Sequence, residues 1–142
     1  MGRQCGGLAG VNELLDLQRL ELHNASLTDA GLMHLAGLSK LEWLSLDNTQ
    51  GTDTGLSHLS GPTSLKYLSL SGTQVTDAGL VHLKGMDRLK RLQLRDTTVT
   101  DAGSGQLTGL TELEFLGLTK TQVTAAGIAE LKRALPGLAV DW

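Results

Sequence analysis

Leucines recur along this chain in a fixed cycle. A short segment L-x-x-L-x-L comes first, a polar turn follows, and then leucines appear three apart before the cycle restarts 24 residues later. Leu17, Leu41, Leu65, Leu89 and Leu113 hold the first position. Leu20, Leu44, Leu68, Leu92 and Leu116 hold the second, and Leu22, Leu46, Leu70, Leu94 and Leu118 the third. The unit reads L-x-x-L-x-L-x-x-T-x-V-T-D-A-G-L-x-H-L-x-G-L-x-x and is cleanest over 65–88. Five copies tile residues 17–136.

Each half of the unit predicts one element. Alternating apolar positions in L-x-L put both leucines on one face of a short strand. Five strands are therefore predicted at 18–22, 42–46, 66–70, 90–94 and 114–118. The Thr-Asp pair then offers side-chain oxygens to the free amides of a helix start. Leu80, Leu83 and Met86 follow on one helical face, and Gly85 is a helix stop. One strand and one short helix cannot bury a core alone, but stacked units bury a continuous leucine column.

This pattern resembles the leucine-rich repeat family over about nine-tenths of the chain. It is similar to the cysteine-containing and ribonuclease-inhibitor-like subclasses, and to bacterial repeats reading L-T-D-A-G-L-x-H-L. The resemblance implies an α/β fold: a right-handed solenoid with a parallel concave sheet and short convex helices. Thr49, Thr73, Thr97 and Thr121 stand where the family usually has Asn or Cys. Their hydroxyls are expected to replace the Asn ladder to neighbouring backbone. Ala25 interrupts that column in the first unit.

The ends depart from the unit. Residues 1–16 read as an irregular N-terminal cap or partial repeat, and 137–142 as a C-terminal capping strand with Trp142 as a lid over the last leucines. The fourth unit also departs. Ser104 and Gly105 replace the leucine and its neighbour, so 101–107 is expected to be the least regular convex segment. Its Ser104 hydroxyl, facing the core, needs a local carbonyl.

Composition narrows the function. Lys and Arg number 12 against 15 Asp and Glu, a net charge of -3, which disfavours nucleic-acid and acidic-membrane binding. No apolar run reaches membrane-span length, and no secretory signal follows Met1. A cytoplasmic, monomeric protein is the expectation. The single Cys5 makes neither an internal disulfide nor a zinc site. Met1-Gly2 lacks the Ser or Thr that myristoylation wants at position six.

Three columns invite chemistry, and none supports a catalytic or metal site. His34, His58 and His82 recur at the unit's period, but a straight column does not converge on one ion. Asp29, Asp53, Asp77 and Asp101 each follow a Thr at a helix start, where the helix dipole accounts for them. His23, Asp47 and Ser71 share a strand position, but the acid stands between the other two, and His23 and Ser71 are about 10 Å apart. No enzyme, metal or cofactor is expected.

What remains is a surface. The residue before the second leucine of each unit is Arg19, Trp43, Tyr67, Arg91 or Phe115. Three of the chain's four aromatics fall in this one column, interleaved with arginines, the residue types enriched at binding hot spots. Self-stacking is the competing account. Charge is also polarised: Glu21, Glu42 and Asp47 come early, then Lys66, Lys90, Arg91 and Arg95, with Glu114 and Lys120 last. A partner with a basic patch beside an acidic one would match. The expected function is a non-catalytic module binding a protein partner through Arg19, Trp43, Tyr67, Arg91, Phe115, Asp47 and Arg95. The resemblance leaves two alternatives: the recognition arm of a larger assembly, such as a ubiquitin-ligase substrate receptor or bacterial effector, or an enzyme inhibitor.

Overall fold

A computed structural model describes residues 16–22, 28–60 and 64–142. Six strands form one sheet in chain order: β1 (Arg19–Glu21), β2 (Trp43–Ser45), β3 (Tyr67–Ser69), β4 (Arg91–Gln93), β5 (Phe115–Gly117) and β6 (Ala139–Asp141). All neighbours are parallel, and from β1 to β6 each residue pairs with the one 24 positions on. The first five are the centres of the predicted strands, each one residue shorter at both ends. The second and third leucines of every unit are buried in one continuous core.

After the third leucine the chain turns sharply. Asn48, Gly72, Asp96 and Lys120 all take positive φ, between 57° and 71°. Gly, Asn and Asp reach this region at little cost. The next residue is the threonine column. Its hydroxyls donate to the carbonyl three residues back, Thr49 to Leu46, Thr73 to Leu70, Thr97 to Leu94 and Thr121 to Leu118, at 2.6–2.7 Å. These hydroxyls thus bond neighbouring backbone as expected, but within their own turn, so the bonds do not tie one unit to the next. Ala25 lies outside the described residues.

The convex segments follow the leucine spacing. In units one to four the buried positions are three apart, as in Leu32, Leu35, Leu38 and Leu80, Leu83, Met86. Three-residue spacing matches a 3₁₀ turn, in which i and i+3 eclipse. A single α-turn, α1 (Asp29–Leu32), α2 (Asp53–Leu56) or α3 (Asp101–Ser104), runs into a 3₁₀ turn, and Asp77–Leu83 is 3₁₀ throughout. The fifth unit changes to Ile128, Leu131, Leu135, with Arg133 where other units have glycine, and forms the ten-residue helix α4 (Ala125–Ala134).

Two expectations are corrected. Residues 101–107 are not the least regular segment; they repeat the α-then-3₁₀ pattern of α1 and α2. Ser104 is buried at 1% exposure, and its hydroxyl donates to the Asp101 carbonyl at 3.0 Å, so the polar group is satisfied without a rearranged backbone. Trp142 is no lid: it is 56% exposed, while Leu135 and Leu138 are buried and Val140 packs on the core. Residues 1–15 of the expected N-terminal cap lie outside the described residues.

Candidate functional site

The register fixes the concave column. Arg19 pairs with Trp43, Trp43 with Tyr67, Tyr67 with Arg91 and Arg91 with Phe115, so five side chains stand on successive strands. Because the leucine that follows each of them points inward, the pleat turns this position outward. The rings of Trp43 and Tyr67 stack at 3.8 Å with 8° between planes. The Arg19 guanidinium caps the other face of this pair, 4.3 Å from the Trp43 ring centre. Arg91 lies 5.9 Å from the Phe115 ring. The column is thus two clusters, Arg19–Trp43–Tyr67 and Arg91–Phe115. The self-stacking expected as the competing account of this column is present in these contacts.

The charges around the column are more engaged than the sequence suggested. Glu21 pairs with Arg19 at 2.6 Å, and Glu42 with Lys66 at 3.5 Å. Asp47 accepts from the Ser69 hydroxyl and from the Ser71 amide at 3.0 Å. Asp47 and Ser71 therefore meet as acceptor and backbone donor, not as catalytic partners; His23 lies outside the described residues. Arg95 reaches across β5 to Asp141 at 2.6 Å. Gly117 makes that reach possible, since its missing Cβ would press on the Gln93 amide oxygen and stand 3.2 Å from Arg95 Nε. The Arg95–Asp141 pair spans 46 residues and has no signature in the repeat.

The convex side carries a second construction. Each aspartate of the Thr-Asp pairs accepts two bonds from the next unit's threonine. Asp29 takes the Thr52 amide and hydroxyl, and Asp53, Asp77 and Asp101 do the same with Thr76, Thr100 and Thr124. All four amide bonds are 2.7 Å. The Thr76 and Thr100 hydroxyls in turn accept from Ala78 and Ala102 at 3.4 and 3.3 Å, and Thr124 from Gly127 at 3.5 Å. The expected helix-start role of these aspartates stands, but their carboxylates also tie adjacent units. A Cβ on Gly55, Gly79, Gly103 or Gly127 would collide with the aspartate of the preceding unit, which explains glycine there. The Thr124 hydroxyl, and then its amide, hold the Asp101 carboxyl below its ordinary 3.8. The signal was legible: Asp to Thr at 23 residues and Asp to Gly at 26, repeated four times.

Between α3 and α4 a groove of about 520 Å³ is lined by Asp101, Ser104, Gly105, Glu130 and Leu131 among others. It lies where the fourth unit has Ser and Gly and where α4 replaces a 3₁₀ turn. Among the described residues no cluster of three or more His, Cys, Asp or Glu side chains could hold a metal ion, and no helix is long and apolar enough to cross a membrane.

A leucine-rich repeat family model matches residues 61–83. Among solved structures, an internalin C2 from Listeria monocytogenes is 32% identical with a TM-score of 0.75, over 93% of this chain and 55% of that one. An internalin F from the same organism is 26% identical with a TM-score of 0.79, over 94% and 36%. A leucine-rich repeat protein from Leptospira interrogans shares the fold at 20% identity and a TM-score of 0.65, over 93% and 38%. The chain thus spans between about a third and just over half the length of these structures. No curated protein matches it. The parallel sheet, the repeat and these likenesses together show a leucine-rich repeat solenoid.

Proposed function

We propose that this chain is a non-catalytic, monomeric protein-binding module whose partner sits on the concave face. The leucine-rich repeat fold supports protein interaction generally. The observation that carries the finer reading is the single outward row Arg19, Trp43, Tyr67, Arg91 and Phe115. Stacked rings present a large rigid surface at low entropic cost, and arginine adds directional donors. Asp47 and Arg95 flank the row and shape its edge through their own bonds to Ser69, Ser71 and Asp141.

An affinity pulldown with the parent chain and with Trp43→Ala/Tyr67→Ala tests this. Loss of an anchor of this kind costs about 2 kcal/mol or more, roughly 30-fold in affinity. The double variant is expected to lose the partner while its circular dichroism spectrum stays that of the parent. Equal capture by both proteins would place binding elsewhere.

A further inference from the structure

The concave face has five cations near the aromatic row, and most of them are occupied. Arg19, Lys66 and Arg95 have carboxylates within 3.5 Å. Among the described residues, Lys90 and Arg91 pair with none. They are adjacent at the start of β4, and both are exposed. The acids that looked available in sequence are engaged: Glu21 by Arg19, Glu42 by Lys66 and Asp47 by two serines. Glu114 stands one strand beyond Lys90, on the side away from Tyr67, and makes no ion pair with it. The unmatched charge of this face therefore peaks at Lys90 and Arg91.

The rings point to the same place. Tyr67 has Trp43 on one face, while Arg91, its neighbour in the row, lies over Phe115. Among the described residues, no ring or guanidinium stacks on the Tyr67 face that looks toward β4. A free aromatic face thus borders two unpaired cations.

We propose, building on the concave-face reading above, that the partner is a protein segment presenting an aspartate or glutamate to Lys90 and Arg91, with an aromatic or large apolar side chain beside it on the free face of Tyr67. The partner is acidic at this point rather than bipolar, because Glu21 and Glu42 are already paired with cations of the same face and Asp47 is held by two serines. A carboxylate meets the planar donors of Arg91 and the point charge of Lys90, and the neighbouring rings lower the local dielectric around that contact.

The test is a displayed library of random 12-residue peptides selected against the full chain. Enriched peptides are expected to carry Asp or Glu next to an aromatic residue. Their affinity should fall at least about tenfold in Lys90→Glu/Arg91→Glu, and return when the peptide acid is changed to Lys. Both replaced side chains are exposed, and thermal melts check that the variant folds. Peptides that need Trp43 and Tyr67 but are neither acidic nor sensitive to the charge reversal overturn the acidic partner while the concave site stands. Peptides indifferent to both double variants overturn the concave site as well. A library that yields no binder also counts against the acidic segment.

Discussion

The two faces of this solenoid are built from the same repeat but use it in opposite ways. On the convex side the Asp–Thr–Gly arrangement is copied from unit to unit, with the same 2.7 Å amide bond at all four junctions. On the concave side the equivalent row reads Arg, Trp, Tyr, Arg, Phe, Ala across six paired strands. A position whose partner is the next copy of the unit must be repeated, since each copy is both donor and acceptor. A position that faces outward is free to differ. Internal sameness marks what holds the array together, and internal variation marks what the array presents.

Substitution at a junction is the most damaging way to probe this contrast. Gly79→Ala places a methyl group 3.0 Å from Asp53 Cγ and 3.1 Å from a Leu56 methyl, against a carboxylate that is already bonded to Thr76. Overpacking of this kind costs about 2 kcal/mol. Asp53→Ala costs a similar amount, about 2 kcal/mol, through loss of bonds to a charged acceptor. Because both act on one carboxylate, the double variant is expected to lose less than the two single losses added, by chemical denaturation. Strict additivity would mean that the glycine is not there to seat the aspartate.

The fourth unit allows the opposite change. Ser104 occupies the position of the buried Leu32, Leu56 and Leu80 and borders the groove beside α4. Ser104→Leu is expected to stabilise by about 1 kcal/mol and to raise the melting temperature. A fall would show that the neighbouring units have closed around the serine.

Acid separates the last junction from the surface row. The folded-state pKa of Asp101 is depressed by its bonds from Thr124, so its contribution is present above the ordinary 3.8 and is lost as pH falls through the folded value. The stability gap between the parent and Asp101→Asn should therefore narrow as pH drops below 3.8. A gap independent of pH would remove the charge from the account of this junction. The smallest effect is expected on the concave side. Arg91→Ala, at an exposed position without an ion pair, should leave stability within about 0.5 kcal/mol while weakening any ligand of the row.

The repeat, the register and the outward row were legible in the leucine pattern, because a strict 24-residue period allows only one way to stack leucine on leucine. The sequence also carried the threonine and aspartate columns, but not their partners. A Thr hydroxyl with a carbonyl three residues back and an Asp with an amide 23 residues on look alike as columns, and only the turn geometry separates them. Tertiary structure alone decided which charges are spent. Glu42 finds Lys66 one strand away, and Arg95 finds Asp141 across an intervening strand because Gly117 leaves room. It also decided that Ser104 keeps its turn and that Trp142 faces solvent. Those outcomes depend on the reach of individual side chains and the space left by their neighbours, which a linear period does not encode.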